Sequence, residues 1–366
     1  MKKDNWEDSD FVDIDYKDTD LNTILNTDLD IIASEFSEAI QSYFYTYYHY
    51  FIHLNLEEDI NVARPDDKKL KGLERLQLLN GTKGNYIDDY KSLVIKLHHF
   101  FELLIKLILE ACDPCLVINP KTDKDYLSLV SYLTSASKDT AKIKNINSVE
   151  FSSALSRLCI LFGAGSSYSY TIEAELETIA RILTKNKNAL DKLNNLRNRM
   201  IHRGKKTLSY KILDDYMTGE ILPMLSDLFD DNDFFLKCEE IKGSINSVKK
   251  CVEKMIALGS RKDYRKIAVY KEIGRCIYYV SDNYYEQTAG ENSLFDIDIK
   301  LDGKIKDGHL CPICGREALK LETDDIFNFE PYHKKYKYYN CSFCTFRAEK
   351  SIGDSFFRTQ LIPDIS

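Results

Sequence analysis

Residues 91–111 read KSLVIKLHHFFELLIKLILEA, and the spacing of the polar residues in this run decides the fold class. Ser92, Lys96, His99, Glu102, Lys106 and Glu110 recur at three- and four-residue steps, with apolar residues filling the gaps. That period predicts an amphipathic helix with one polar stripe. Asp113-Pro114 then stops it, since proline cannot continue a helix.

The same period extends outward along the chain. It predicts helices from Leu21 to about Asn55 and over Tyr126–Ser137, Val149–Leu161, Ile172–Leu183, Asn188–Arg203 and Leu208–Leu228. Residues 236–290 read as two more helices broken at Gly259-Ser260. No strand-like alternation occurs between residues 20 and 290, so this region is expected to be all-α. Asn61 to Asp67, with Pro65, reads as a linker. The aromatic run Tyr43, Phe44, Tyr45, Tyr47, Tyr48, Tyr50 and Phe51 has two readings, a packed helical face or a base-stacking platform. The expected organisation is an acidic arm (1–20), a helical extension (21–60), a helical domain (61–235), a basic helical connector (236–300) and a small C-terminal module (301–366).

With 366 residues the chain is long enough for two or three domains with a real core. A charged fraction of 30% is ordinary for a soluble protein. The most apolar segment, Leu93 to Leu109, is interrupted by Lys96, Glu102 and Lys106, well short of the ~18 apolar residues of a membrane span. Lys2-Lys3 leads into acids rather than an apolar run, so no signal peptide is expected. Ten cysteines, four of them in metal-type spacing, point to the reducing cytoplasm.

The net charge of −8 conceals an asymmetry. Residues 1–20 hold three lysines against eight acids, a local −5, and read as a disordered or loosely attached arm. Such an arm is either a solubilising tail or a cover for a basic cleft. Residues 242–275 hold ten Lys and Arg against three acids, a local +7. Lys249, Lys250, Lys254, Arg261, Lys262, Arg265, Lys266, Lys271 and Arg275 form this patch, either as solvated surface or as a contact for nucleic acid.

The chemistry centres on Leu196-Arg197-Asn198-Arg199-Met200-Ile201-His202-Arg203-Gly204. Arginine presents a fixed fork of donors suited to phosphate, and histidine is the side chain that titrates near neutrality. Gly204 suits the left-handed cap that ends a helix after Arg203. Asn198 lies four residues before His202 and so on the same helical face, where it either orients the imidazole or holds a phosphate oxygen. Arg197 is five residues away, about 140° round the helix, so one helix does not bring it beside His202. The helix C-terminus favours the imidazolium of His202, while Arg199, Arg203, Lys205 and Lys206 oppose it.

The pattern Arg197-Asn198-x-x-x-His202 resembles the motif of HEPN-domain ribonucleases, all-helical proteins of bacterial toxin and anti-phage systems. Phe100-Phe101-Glu102-Leu103-Leu104-Ile105-Lys106 resembles the earlier helix of that family. The resemblance covers about residues 90–230. It implies a mainly α fold with a HEPN-like helical bundle. It also implies metal-independent RNA cleavage through the 2′-hydroxyl, with Arg197, Asn198 and His202 in a cleft shared by a homodimer. An antitoxin or other protein partner follows from the same resemblance. Glu102 is either a partner holding Arg197 or Arg199 in place, or a plain surface glutamate. The alternative function is a non-catalytic module that binds RNA or a nucleotide, or that dimerises, with a tail that docks a partner.

A second site lies near the end of the chain. Cys311-Pro312-Ile313-Cys314 and Cys341-Ser342-Phe343-Cys344 are two Cys-x-x-Cys pairs with 26 residues between them. Four thiolates complete a tetrahedral zinc shell with no vacancy, so the zinc would be structural. The region resembles a zinc ribbon and implies a small β module stabilised by metal. In Tyr332-His333-Lys334-Lys335-Tyr336-Lys337-Tyr338-Tyr339, alternation puts Lys335 and Lys337 on one face and Tyr336 and Tyr338 on the other. That pattern suits single-stranded nucleic acid or a hairpin packed on its neighbour. His309 and His333 would be ligands only if a cysteine failed.

Two weaker patterns have bland readings. Cys112-Asp113-Pro114-Cys115 is a lone Cys-x-x-Cys that reads as buried or incidental thiols rather than a redox or metal pair. Leu161-Phe162-Gly163-Ala164-Gly165-Ser166-Ser167 is Gly-rich, but without a βαβ unit it reads as a helix-to-helix turn. Cys159, Cys238, Cys251 and Cys276 are expected in helical cores.

Overall fold

The computed structural model describes residues 21–46, 72–166, 172–203, 208–230, 249, 251–287, 319–325, 335–341 and 346–349. These are mainly helical, with one small sheet. Among them no helix is long and apolar enough to cross a membrane. The acidic arm, Asn61 to Asp67 and residues 288–318 lie outside the described residues.

Helix α1 (Leu21–Tyr45) lies antiparallel along α2 (Gly72–Cys112). Ser42 Oγ meets Ser92 Oγ at 2.8 Å. Lys96 Nζ lies 3.2 Å from Glu35 and 3.0 Å from Glu38, and His99 Nδ1 lies 3.2 Å from Glu35. Ile32, Phe36, Ile40, Tyr43 and Phe44 pack with Leu93, Leu97, Phe100, Leu104 and Ile108 in one contiguous core. Tyr43 and Phe44 are therefore core residues, whereas Tyr45 is exposed. Helix α2 starts well before residue 91 and runs through Gly81 and Gly84, which weaken a helix locally and hide its early start in the sequence.

A satellite follows. The turn Pro114–Val117 leads to α3 (Asp123–Thr134), whose start is closed by a Thr122/Asp125 capping box. Ile118, Tyr132, Ile143 and Ile146 form its own small core. Ile118 and Ser148 make a single bridge, and Arg157 Nη1 donates to Leu116 O at 2.7 Å and Ile118 O at 3.0 Å, which ties the satellite to α4 (Phe151–Phe162). Helix α4 ends at Gly163, and Gly165 takes φ +86°, so the Gly-rich stretch is a turn leaving a helix. Helices α5 (Ala174–Lys185) and α6 (Lys187–Arg203) follow, and Gly204 lies outside the described residues.

The expected continuous helix over Leu208–Leu228 is interrupted. Helix α7 (Tyr210–Tyr216) passes through a π turn, Met217–Ile221, into α8 (Leu222–Asp230). Pro223 stands just inside α8; it has no N–H to donate backwards, and its ring crowds the preceding turn, which accounts for the irregularity. A helix over 251–259, α9, precedes α10 (Tyr264–Gln287), and the break falls at Gly259-Ser260 as expected. Gly274 of α10 meets Phe44 so closely that a Cβ there would come within 2.5 Å of the ring.

Where α1, α7 and α10 meet, charge is buried. Lys271 Nζ bonds Asp214 Oδ1 and donates to Thr46 Oγ1 at 3.0 Å, and Tyr43 OH donates to Asp214 Oδ1 at 3.0 Å. The ammonium also lies 4.2 Å from the Tyr43 ring centre, and Asp214 Oδ2 is buried with no partner. Burial pushes Asp214 up and Lys271 down, each toward its neutral form.

The sheet is antiparallel, in the order β1 (Leu319–Asp325), β2 (Lys335–Cys341), β3 (Arg347–Glu349). Tyr339, Cys341 and Phe346 are buried in the same apolar cluster as the helices.

Candidate active site

Helix α6 is anchored by Leu190, Leu193 and Met200, which are buried in the main core. Anchoring that face presents Asn194 and Asn198 toward α2, and His202 continues the same stripe four residues further on. Helix α2 answers with a stripe of the same spacing, His98, Glu102 and Lys106. Two polar stripes of one period thus face each other across an otherwise apolar contact.

They are joined by hydrogen bonds. His98 Nε2 and Asn194 Oδ1 lie 3.1 Å apart, and Asn198 Nδ2 donates to the same oxygen at 3.5 Å. Arg197 Nη1 donates to Asn198 Oδ1 at 3.1 Å. A tautomer with the proton on Nε2 makes every one of these bonds consistent. On the other side of His98, Nδ1 lies 3.7 Å from Glu102 Oε2, and Lys106 Nζ lies 2.7 Å from Glu102 Oε1. Lys106 also donates to Ser148 Oγ at 3.0 Å, so the satellite touches the end of this network.

His98 is the pivot. Its side chain is 6% exposed, and its ring lies 4.4 Å from that of Phe151. Burial lowers its pKa, and the nearby Arg197 adds to this, which favours the neutral imidazole. Arg197, by contrast, is only half-buried, so its guanidinium is steered by Asn198 while keeping donors for a ligand. Glu102 holds Lys106 and faces His98; among the described residues its ion-pair partners are these and not Arg197 or Arg199, and Arg199 is exposed. The reason is local: an i,i+4 lysine on the same helix is the nearer partner.

His202 belongs to the last turn of α6 by its backbone; its side chain, that of Arg203, and Lys205 and Lys206 lie outside the described residues. Lys262 is exposed at φ +55° in the turn before α10, and the Arg265 side chain is outside the described set. The basic connector divides. Lys271 points into the core, and Arg275, 11% exposed, is held at 2.6 Å by the buried Glu272. These two cations are internal, which removes them from any surface patch.

Among the described residues no group of three or more potential ligands could hold a metal ion. Cys311, Cys314 and Cys344 lie outside them. Cys341 closes β2, and its N–H donates to Phe346 O at 2.9 Å. Register sets Lys335 across from Asp325 and Lys337 across from Thr323. An acid opposite Lys335 competes with phosphate for it. Cys112 and Cys115 have pKa values pushed up to about 11 by burial, with Asp113 adding to it, so both are thiols at neutral pH.

Sequence reasoning placed His99 on the polar stripe and missed His98 and Asn194. Both were readable as residues four before Glu102 and Asn198. Compared with protein-family models, curated proteins and solved structures, the chain finds no match in any of the three.

Proposed function

We propose that the chain is a metal-independent endoribonuclease of the HEPN type, working as a homodimer in defence or toxin-like growth arrest. The observation that carries this reading is the Arg197–Asn198–Asn194–His98 hydrogen-bond chain, which fixes a half-exposed guanidinium one turn before His202. In this reading the RNA 2′-oxygen attacks phosphorus, the bond to the 5′-oxygen breaks, and a 2′,3′-cyclic phosphate and a 5′-hydroxyl form. His202 moves a proton, either taking that of the 2′-hydroxyl or giving one to the leaving oxygen. Arg197 meets the negative charge that builds on the phosphoryl oxygens. The helical geometry separates Arg197 and His202 by about 140°, so a second copy completes the cleft.

Cys311, Cys314, Cys341 and Cys344 would hold a zinc ion that stabilises the C-terminal module and takes no part in the cleavage. The test is cleavage of RNA in EDTA by wild type and His202→Ala. Loss in the variant supports the reading, and equal cleavage in both removes the site. RNA retention with cleavage in neither replaces it with a binding module.

A further inference from the structure

Helix α3 (Asp123–Thr134) is apolar over more of its surface than its own chain covers. Leu129 and Tyr132 face the satellite core. Tyr126, Leu127, Val130 and Leu133 are 53%, 71%, 54% and 49% exposed. At ~100° per residue these six side chains span about 220° of the helix circumference; Asp123, Asp125 and Thr134, in the first and last turns, share that arc, and Lys124, Ser128 and Ser131 occupy the remainder. A stripe this broad marks a covered face.

We propose that residues 1–20 of the same chain dock on this face of α3. Three observations identify the occupant. The first is charge. Lys121, Lys124 and Lys144 are exposed cations of the same satellite. Of the satellite's acids, Asp125 accepts from the Lys121 and Thr122 N–H groups, Asp139 from Ala141, and Asp113 from Cys115 and Lys138, while Asp123 is exposed at the start of α3. Residues 1–20 carry a local −5, with Trp6, Phe11, Val12, Ile14 and Tyr16 set among eight acids. Apolar anchors between carboxylates match an apolar stripe on an element that also carries exposed lysines.

The second observation is position. Glu35 of α1 lies beside Lys96 and His99 of α2, and the two helices run antiparallel. From that level Leu21 is fourteen residues along α1 and Cys112 thirteen along α2, about 20 Å for each at ~1.5 Å per residue. The start of α1 and the end of α2 therefore share one end of the helix pair, and the satellite begins at Asp113. Twenty residues extend up to ~66 Å, ample to reach α3 from there. The third is size. Four side chains on a three-turn helix fall short of the ~800 Å² per partner of a standard protein interface, which suits a short segment rather than a second folded chain.

Trp6 is the only tryptophan, so its fluorescence reports docking directly. In the full-length protein its emission should be blue-shifted and shielded from acrylamide, at any protein concentration. Leu127→Asp, on the most exposed of the four positions, should shift emission to the red and raise quenching several-fold while helical circular dichroism stays unchanged. Val130→Asp should do the same. A fully exposed Trp6 in the wild type overturns the proposal, as does a blue shift that survives both substitutions. A shift lost on dilution also overturns it, in favour of a contact between two copies.

Discussion

Replacing Lys271 by methionine should cost about 3–5 kcal/mol of stability, because it strips the counter-charge from a carboxylate with no access to water. The site is unforgiving: Asp214 is 1% exposed, its Oδ2 is already unpartnered, and the variant would leave Oδ1 with the Tyr43 hydroxyl alone. Methionine restores the packing of the lysine stem, so the loss is electrostatic rather than a cavity. At about 1.3 °C per kcal/mol for 366 residues unfolding together, Tm should fall by roughly 4–7 °C. Asp214→Asn in the same background removes the orphaned charge and should recover about half of the loss. Burial already raises the Asp214 pKa, and losing Lys271 raises it further, so the native variant binds a proton that the unfolded chain releases. Its stability therefore falls as pH rises above the ordinary carboxylate range, and the deficit should be larger at pH 8 than at pH 5. Urea unfolding at the two pH values measures both effects. A cost under ~1 kcal/mol, or a double mutant that is merely additive, would refute the buried-pair argument.

Burial holds the His98 pKa below its ordinary value, so the unfolded chain takes up protons below about pH 6.5 that the native state does not. Stability should be lost as pH falls from 7.5 to 5.5, and His98→Gln should flatten that loss; parallel curves would remove His98 as the cause. Gly274→Val should destabilise by about 1–3 kcal/mol through its collision with the Phe44 ring, and Phe44→Leu should recover part of this in thermal melts. Cys112 and Cys115, with pKa values near about 11, should alkylate with iodoacetamide far more slowly at pH 7 than a free thiol does, and the rate should still be climbing at pH 9. Zinc released from the denatured protein into a metallochromic dye should amount to one equivalent, and Cys341→Ser should abolish it.

What the sequence revealed depended on how local each cause was. The helical period of residues 91–111, its stop at Asp113-Pro114 and the break at Gly259-Ser260 are set by neighbours a few residues apart, and each is where the pattern puts it. Two features were not local. Helix α2 has partners on two sides, so His99 serves α1 through Glu35 while His98, 100° away, serves α6 through Asn194. A single-stripe reading of the helix accommodates only one of them. Lys271 looked like one more cation in a basic run, because the partner that draws it inward, Asp214, is 57 residues earlier. The polar stripe of α6 was half legible: Asn198 and His202 stand in the motif, while Asn194 is identified only by the helix it faces.

The claim that Arg197 and His202 form a metal-free ribonuclease site shared by two copies rests on one assay above others. Single-stranded RNA is incubated in excess EDTA with wild type, with Arg197→Ala, with His202→Ala, and with the two variants refolded together. The account predicts cleavage to 2′,3′-cyclic phosphate ends by wild type, none by either variant alone, and partial recovery in the mixture. His202→Ala chains that cut as wild type does would contradict it.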